Sequence, residues 1–104
     1  MTNVHYLYYD RWIKATYRLL DYVVESARTW HEMLDYRKHG RLTYLGELGP
    51  NLSILQTGER AGKLSRSQIR QLRNLERLAK QAQGTIKVLS DDYEAQRGRP
   101  NDDN

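Results

Sequence analysis

Apolar residues recur along two stretches of the chain at the step of an α-helix. In the first, Asp10 to His39, Ile13, Tyr17, Leu20, Val24, Ala27 and Leu34 follow one another by threes and fours, with His31 in the remaining slot. Trp12, Leu19, Val23 and Trp30 widen the stripe. At 3.6 residues per turn these positions share one broad face, so the pattern predicts an amphipathic helix with that face buried. Asp10 is placed to cap it and Gly40 to end it. In the second stretch, after Ser65, Leu72, Leu75, Ala79, Ala82, Ile86, Leu89 and Tyr93 alternate steps of three and four without a gap. That register predicts a long helix with coiled-coil-like packing. Gly84 falls outside the stripe and weakens the helix without opening its core face.

The intervening GRLTYLGELGPNLSILQTGERAGKLS is rich in glycine, yet Leu42, Leu45, Leu48, Leu52, Ile54 and Leu55 make it too apolar for a free linker. A short helix over Asn51 to Gln56, entered through Gly49-Pro50, is expected. A strand pair is the alternative, disfavoured because glycine and proline sit where ladder bonds are needed. The fold predicted is therefore all-α: two long antiparallel helices joined by a compact segment containing a short helix. It forms a single domain over residues 1–98, with a disordered tail over 99–104 after Gly98. Two helices cover each other poorly, so a second copy or a larger assembly is expected to complete a bundle.

Within the segment, TGERAGKLS (Thr57 to Ser65) has the look of a phosphate-binding loop. Its spacing is wrong. Three residues separate Gly58 from Gly62 where four are required, and Leu64 stands where a hydroxyl must follow the lysine. The stretch reads instead as a helix start. Ser65 and Gln68 form a capping box, Leu64 and Ile69 have the spacing of a hydrophobic staple, and the two glycines supply the preceding turn.

Composition narrows the function. The chain has 104 residues and no cysteine, which excludes disulfides and thiolate metal sites. It carries neither a signal-peptide pattern nor an apolar run of the roughly 18 residues that a membrane span needs, and is read as soluble and cytoplasmic. Net charge is +4, unevenly distributed: from Glu59 to Val88 there are eight bases against two acids, a net +6. Arg66, Arg70, Arg73, Arg77, Lys80 and Lys87 repeat at the step of the second helix, about 150° from its apolar stripe. They form a solvent-facing basic row suited to forked contact with phosphates. Rows of this kind also occur as ordinary solvated faces, but those usually mix charge signs.

His31, Asp35 and His39 are spaced by four, too far apart to hold one ion together, so no metal and no cofactor is expected. No serine–histidine–carboxylate set or inward carboxylate pair is present, and the chain is read as no enzyme. Tyr6, Tyr8 and Tyr9, in a strand-like YLYYD arm, are taken as a protein interface. The stretch GKLSRSQIRQLRNL resembles a helix in the small helical subunits of CRISPR effector complexes, whose basic residues line the guide–target duplex. No site residue is carried over from that resemblance. The reading is a small basic helical subunit that contacts nucleic-acid backbone, DNA or RNA, without sequence readout. The alternative is a protein-binding module (a phage-type inhibitor, adaptor or immunity protein) that turns its basic row and tyrosines to an acidic partner.

Overall fold

The computed structural model describes residues 4–97, which are almost wholly helical, with no strand among them. The expected tail over 99–104 lies outside the described residues. Helix α1 spans Val4–Thr29 and passes into a 3₁₀ turn over Trp30–Glu32; α2 spans Asp35–Leu45, α3 Leu48–Arg60 and α4 Arg66–Arg97. Two long helices joined by a compact helical segment are present, as the periodicity predicts, but their relative direction is not the expected one. Gln68, near the start of α4, bonds to Tyr6 and Asp10 near the start of α1. Asn74 bonds to Tyr17 further along, and Trp30 meets Asp92 at the far end. Helices α1 and α4 therefore run parallel.

The middle segment is the reason. Helices α2 and α3 together form a third leg running back along the other two. Tyr44 packs edge-on against Tyr22, Arg41 bonds to Ser26, and lower down Gln56 bonds to Glu76. An odd number of legs returns the chain to its starting direction. The third leg also supplies the missing wall of the core: Leu45 and Leu55 are buried with Leu19, Leu72 and Leu75 in one cluster. The third leg thus covers one side of the α1–α4 pair.

Helix α1 departs from its expected limits at both ends. It begins by Val4, so YLYYD is helical rather than strand-like, and Asp10 lies inside the helix and accepts from Gln68 instead of capping. The helix stops at Thr29 because Met33 and Leu34 are extended and turn the chain back (ψ 136° and 151°). That break lets Trp30, Met33 and Leu42 pack against Leu89 and Tyr93 in a second apolar cluster. Gly40 sits within α2 and ends nothing. The buried face is also rotated from the purely apolar stripe. Thr16 and Ser26 are fully buried, while Val24 is 62% exposed and Ala27 and His31 are exposed as well. Thr16 is accommodated by donating to the Trp12 carbonyl at 2.6 Å, and Ser26 by accepting from Arg41 at 3.0 Å. Their hydroxyls hide two core positions from any hydrophobicity count.

On α4 the expected face is buried throughout, Ile86 only in part, and Gly84 is exposed. Helix α3 is longer than predicted. Pro50 fits in its first turn, where a missing N–H costs no helical bond.

The TGERAGKLS stretch joins two helix ends. Gly62 takes a left-handed φ of 71° and donates to the Glu59 carbonyl, while Lys63 donates to that of Gly58. These two bonds form a Schellman end for α3. Ser65 and Gln68 then bond reciprocally, at 2.9 and 3.1 Å, as the capping box of α4. Gly58 is not part of the turn; it is buried inside α3, where a Cβ would lie 2.5 Å from the Tyr9 ring and 2.7 Å from Leu64.

The two helical glycines should therefore respond oppositely to alanine. Gly84→Ala, with open space around it, should raise stability by about 0.5–1 kcal/mol. Gly58→Ala should gain the same propensity but lose about 1–3 kcal/mol to overpacking, for a net loss in urea melts.

Candidate nucleic-acid interface

The capping box fixes where α4 starts, and the period of the helix then decides which side chains face outward. Arg66, Arg70, Arg73, Arg77, Lys80 and Lys87 are all exposed, opposite the buried face. From Arg66 to Lys80 the row covers about 21 Å at 1.5 Å per residue. It begins in the first turn of the helix, where the peptide dipoles also favour anions.

The six bases are not equivalent. Arg73 is held between Glu59 of α3 and Glu76, the latter at 2.8 Å. Lys87 pairs with Asp91 at 3.0 Å. Arg77 donates at 2.6 Å to the neutral Asn74, whose amide in turn bonds to Tyr17. Arg66, Arg70 and Lys80, like Arg77, form no ion pair among the described residues. The sequence identifies Glu76 as the acid within the row, but Glu59 reaches it only through the packing of α3 on α4.

This ion-pair cluster has its own electrostatics. Burial pushes the Glu76 carboxyl up, but hydrogen bonds from Gln56 and Arg73 and the Arg73 charge outweigh it and hold the carboxyl below its ordinary value. The Arg73 guanidinium is raised by its bonds to Glu76 and Glu59. Arg73 is accordingly a brace between α3 and α4, whereas Arg66, Arg70, Arg77 and Lys80 have no carboxylate partner among the described residues.

The end of the bundle where α1 and α4 begin gathers further bases. Arg60 and Lys63 are exposed at the turn, and Arg11, Lys14 and Arg18 are exposed on α1. The α1 group is hidden in a charge sum, because the acids from Asp21 onwards cancel it. Its spacing of three and four is the signal that could have shown it. Asp10, next to Arg11, accepts from the Gln68 amide at 2.8 Å. Asp91, Asp92 and Glu94 lie at the opposite end of α4. The excess of bases thus lies at one end of the bundle, while at the other Lys87 and Arg97 accompany the acids.

The tyrosines do not form one surface. Tyr9 is buried against Gly58, while Tyr6 and Tyr8 are exposed. Tyr8 makes edge-on contacts with Tyr9 and Trp12, at centroid distances of 5.0 and 6.3 Å. Three tyrosines within four helical residues point in different directions, which the strand-like reading missed. His31, Asp35 and His39 are split by the chain reversal, and among the described residues no three ligand-type side chains converge on one point. No helix among them is long and apolar enough to cross a membrane. Comparison with protein-family models, curated proteins and solved structures finds no match to the chain.

Because the Glu76 carboxyl is depressed in the folded state, its contribution is complete above the ordinary carboxylate value of about 4.3 and lost as pH falls through the folded one. Glu76→Gln should reduce stability at pH 7 by about 0.2–1 kcal/mol, as partly exposed pairs do. The difference from wild type should shrink progressively in melts taken to pH values below the ordinary carboxylate range.

Proposed function

We propose that the chain is a non-enzymatic helical protein that binds nucleic-acid backbone through α4, without reading sequence. The observation that carries this reading is the row Arg66, Arg70, Arg77 and Lys80: four exposed bases on one helix with no carboxylate partner among the described residues. A helix face serving only solubility intersperses both signs. Here the acids are either tied to Arg73 or placed at the other end of α4. Guanidinium forks one and two turns apart on one helix face suit a chain of phosphates, and arginine matches phosphate oxygens better than lysine does. Arg60, Lys63, Arg11 and Lys14 extend the positive field at the same end and would steer a polyanion toward it. Backbone contacts of this kind position a ligand without specifying bases.

The second reading, a protein-binding module, draws on a different observation. Tyr6, Leu7 and Tyr8 are all exposed at the start of α1, beside the basic end. Tyrosine beside arginine is the composition of a protein-interface centre.

The two readings diverge experimentally. If α4 binds phosphates, affinity for mixed-sequence DNA or RNA should fall with salt, with a log–log slope near −0.9 per phosphate neutralised on a duplex. Replacing Arg66, Arg70 and Arg77 with Gln should flatten that slope by about two to three units while leaving the melting temperature unchanged. Arg73→Gln should do the reverse, lowering stability with less effect on the slope. Absence of binding at low salt, with the triple variant losing an acidic protein in a pull-down, would favour the second reading.

A further inference from the structure

Helices α1 and α4 leave between them, on the side away from α2 and α3, an open groove of about 540 Å³. Its floor and walls are Leu20, Val24, Ala27, Leu78 and Ala82, with Asp21 and Arg28 on the α1 rim. Val24 is among the most exposed apolar side chains described, and Val88, 67% exposed, continues the same face of α4. A face this apolar beside solvent points to a partner.

We infer that the groove is a homodimer interface, covered by a second copy of the chain lying antiparallel across it. The charges select this occupant. Asp21 and Arg28 are seven residues apart, two turns along one face of α1, and Val24 lies between them. Neither forms an ion pair among the described residues. A two-fold axis across the groove beside Val24 sets α1 against α1 of the second copy, so that each Asp21 meets the other chain's Arg28. One patch thereby becomes self-complementary, as an isologous interface requires. The bonds Tyr17–Asn74 and Trp30–Asp92 bracket this level, which puts the axis beside the middle of the α4 lining as well. A two-fold along the helices would instead lay α1 on α4, whose lining residues Leu78, Gln81, Ala82 and Thr85 offer no charge to either rim residue. The antiparallel arrangement is the one that matches both. The basic row is centred about a third of a turn around α4 from the groove, by the helical period, so the dimer leaves it exposed. The inference does not depend on what that row binds.

Light scattering after size exclusion tests it with the full chain. Wild type should appear at twice its 12.3 kDa. Asp21→Arg and Arg28→Asp each place like charges across both symmetric contacts. Each should weaken dimerisation by roughly tenfold or more, since juxtaposed like charges cost several kcal/mol. Both substitutions are on the surface, so far-UV circular dichroism spectra should match wild type, while melting temperatures fall with the lost dimer by mass action. Mixing the two variants restores opposite charges at both contacts and should restore the dimer; a merely misfolded variant would not be rescued. A wild type that stays at 12.3 kDa at millimolar concentration would overturn the inference and leave the groove to a helix of another protein. Single variants that dimerise as wild type does, or a mixture that stays monomeric, would overturn it equally.

Discussion

One buried amide, that of Gln68, fixes both the start of α4 and its alignment with α1. Gln68 is 3% exposed, and every polar atom of its side chain is engaged. Its carbonyl accepts from the Ser65 N–H, and its amino group donates to the Tyr6 carbonyl and to Asp10 at 2.8 Å each. A buried amide left unpaired costs about 1–3 kcal/mol. Sliding or reversing α1 along α4 would forfeit those partners, so the parallel register is specified chemically as well as by packing. Trp30 and Asp92 make a second such tie at the other end, at 2.8 Å. Between them the apolar faces need only fill the space.

The parallel arrangement has an electrostatic consequence. It brings the basic start of α4 beside the basic start of α1, whereas an antiparallel pair would set those bases against the acids that follow Asp21. Glu59 and Glu76 are engaged by Arg73, which leaves its neighbours in the row unmatched. The positive end is thus the combined result of a hydrogen bond, an ion-pair cluster and a topology, and no single helix carries it.

Much of α4 was legible in the sequence because each cue is local. Its stripe needs only a 3.6-residue period, and its start needs only Ser65 and Gln68 three residues apart. What lay beyond the sequence reading is non-local. The chain reversal at Met33 and Leu34 interrupts a register that His31 and Leu34 continue in sequence, and no glycine or proline marks it. Thr16 and Ser26 occupy core positions because the Trp12 carbonyl and Arg41 satisfy their hydroxyls, and the Arg41 contact exists only once α2 has folded back. That rotation of the buried face moves Val24 and Ala27 from the core to the groove. In the same way, the Leu-rich middle segment shows its apolar character in the sequence but not its length as a full leg. The direction of α4 depends on that length.

The parallel course of α1 and α4 can be measured directly, since a chain without cysteine accepts spin labels cleanly at chosen sites. Labels at Arg11 and Ser67 should give a short electron–electron distance. Labels at Arg11 and Glu94 should be separated by roughly 40 Å, the rise of the intervening α4 residues. A short Arg11–Glu94 distance with a long Arg11–Ser67 distance would mean antiparallel helices, and would contradict both the fold and the basic end that depends on it.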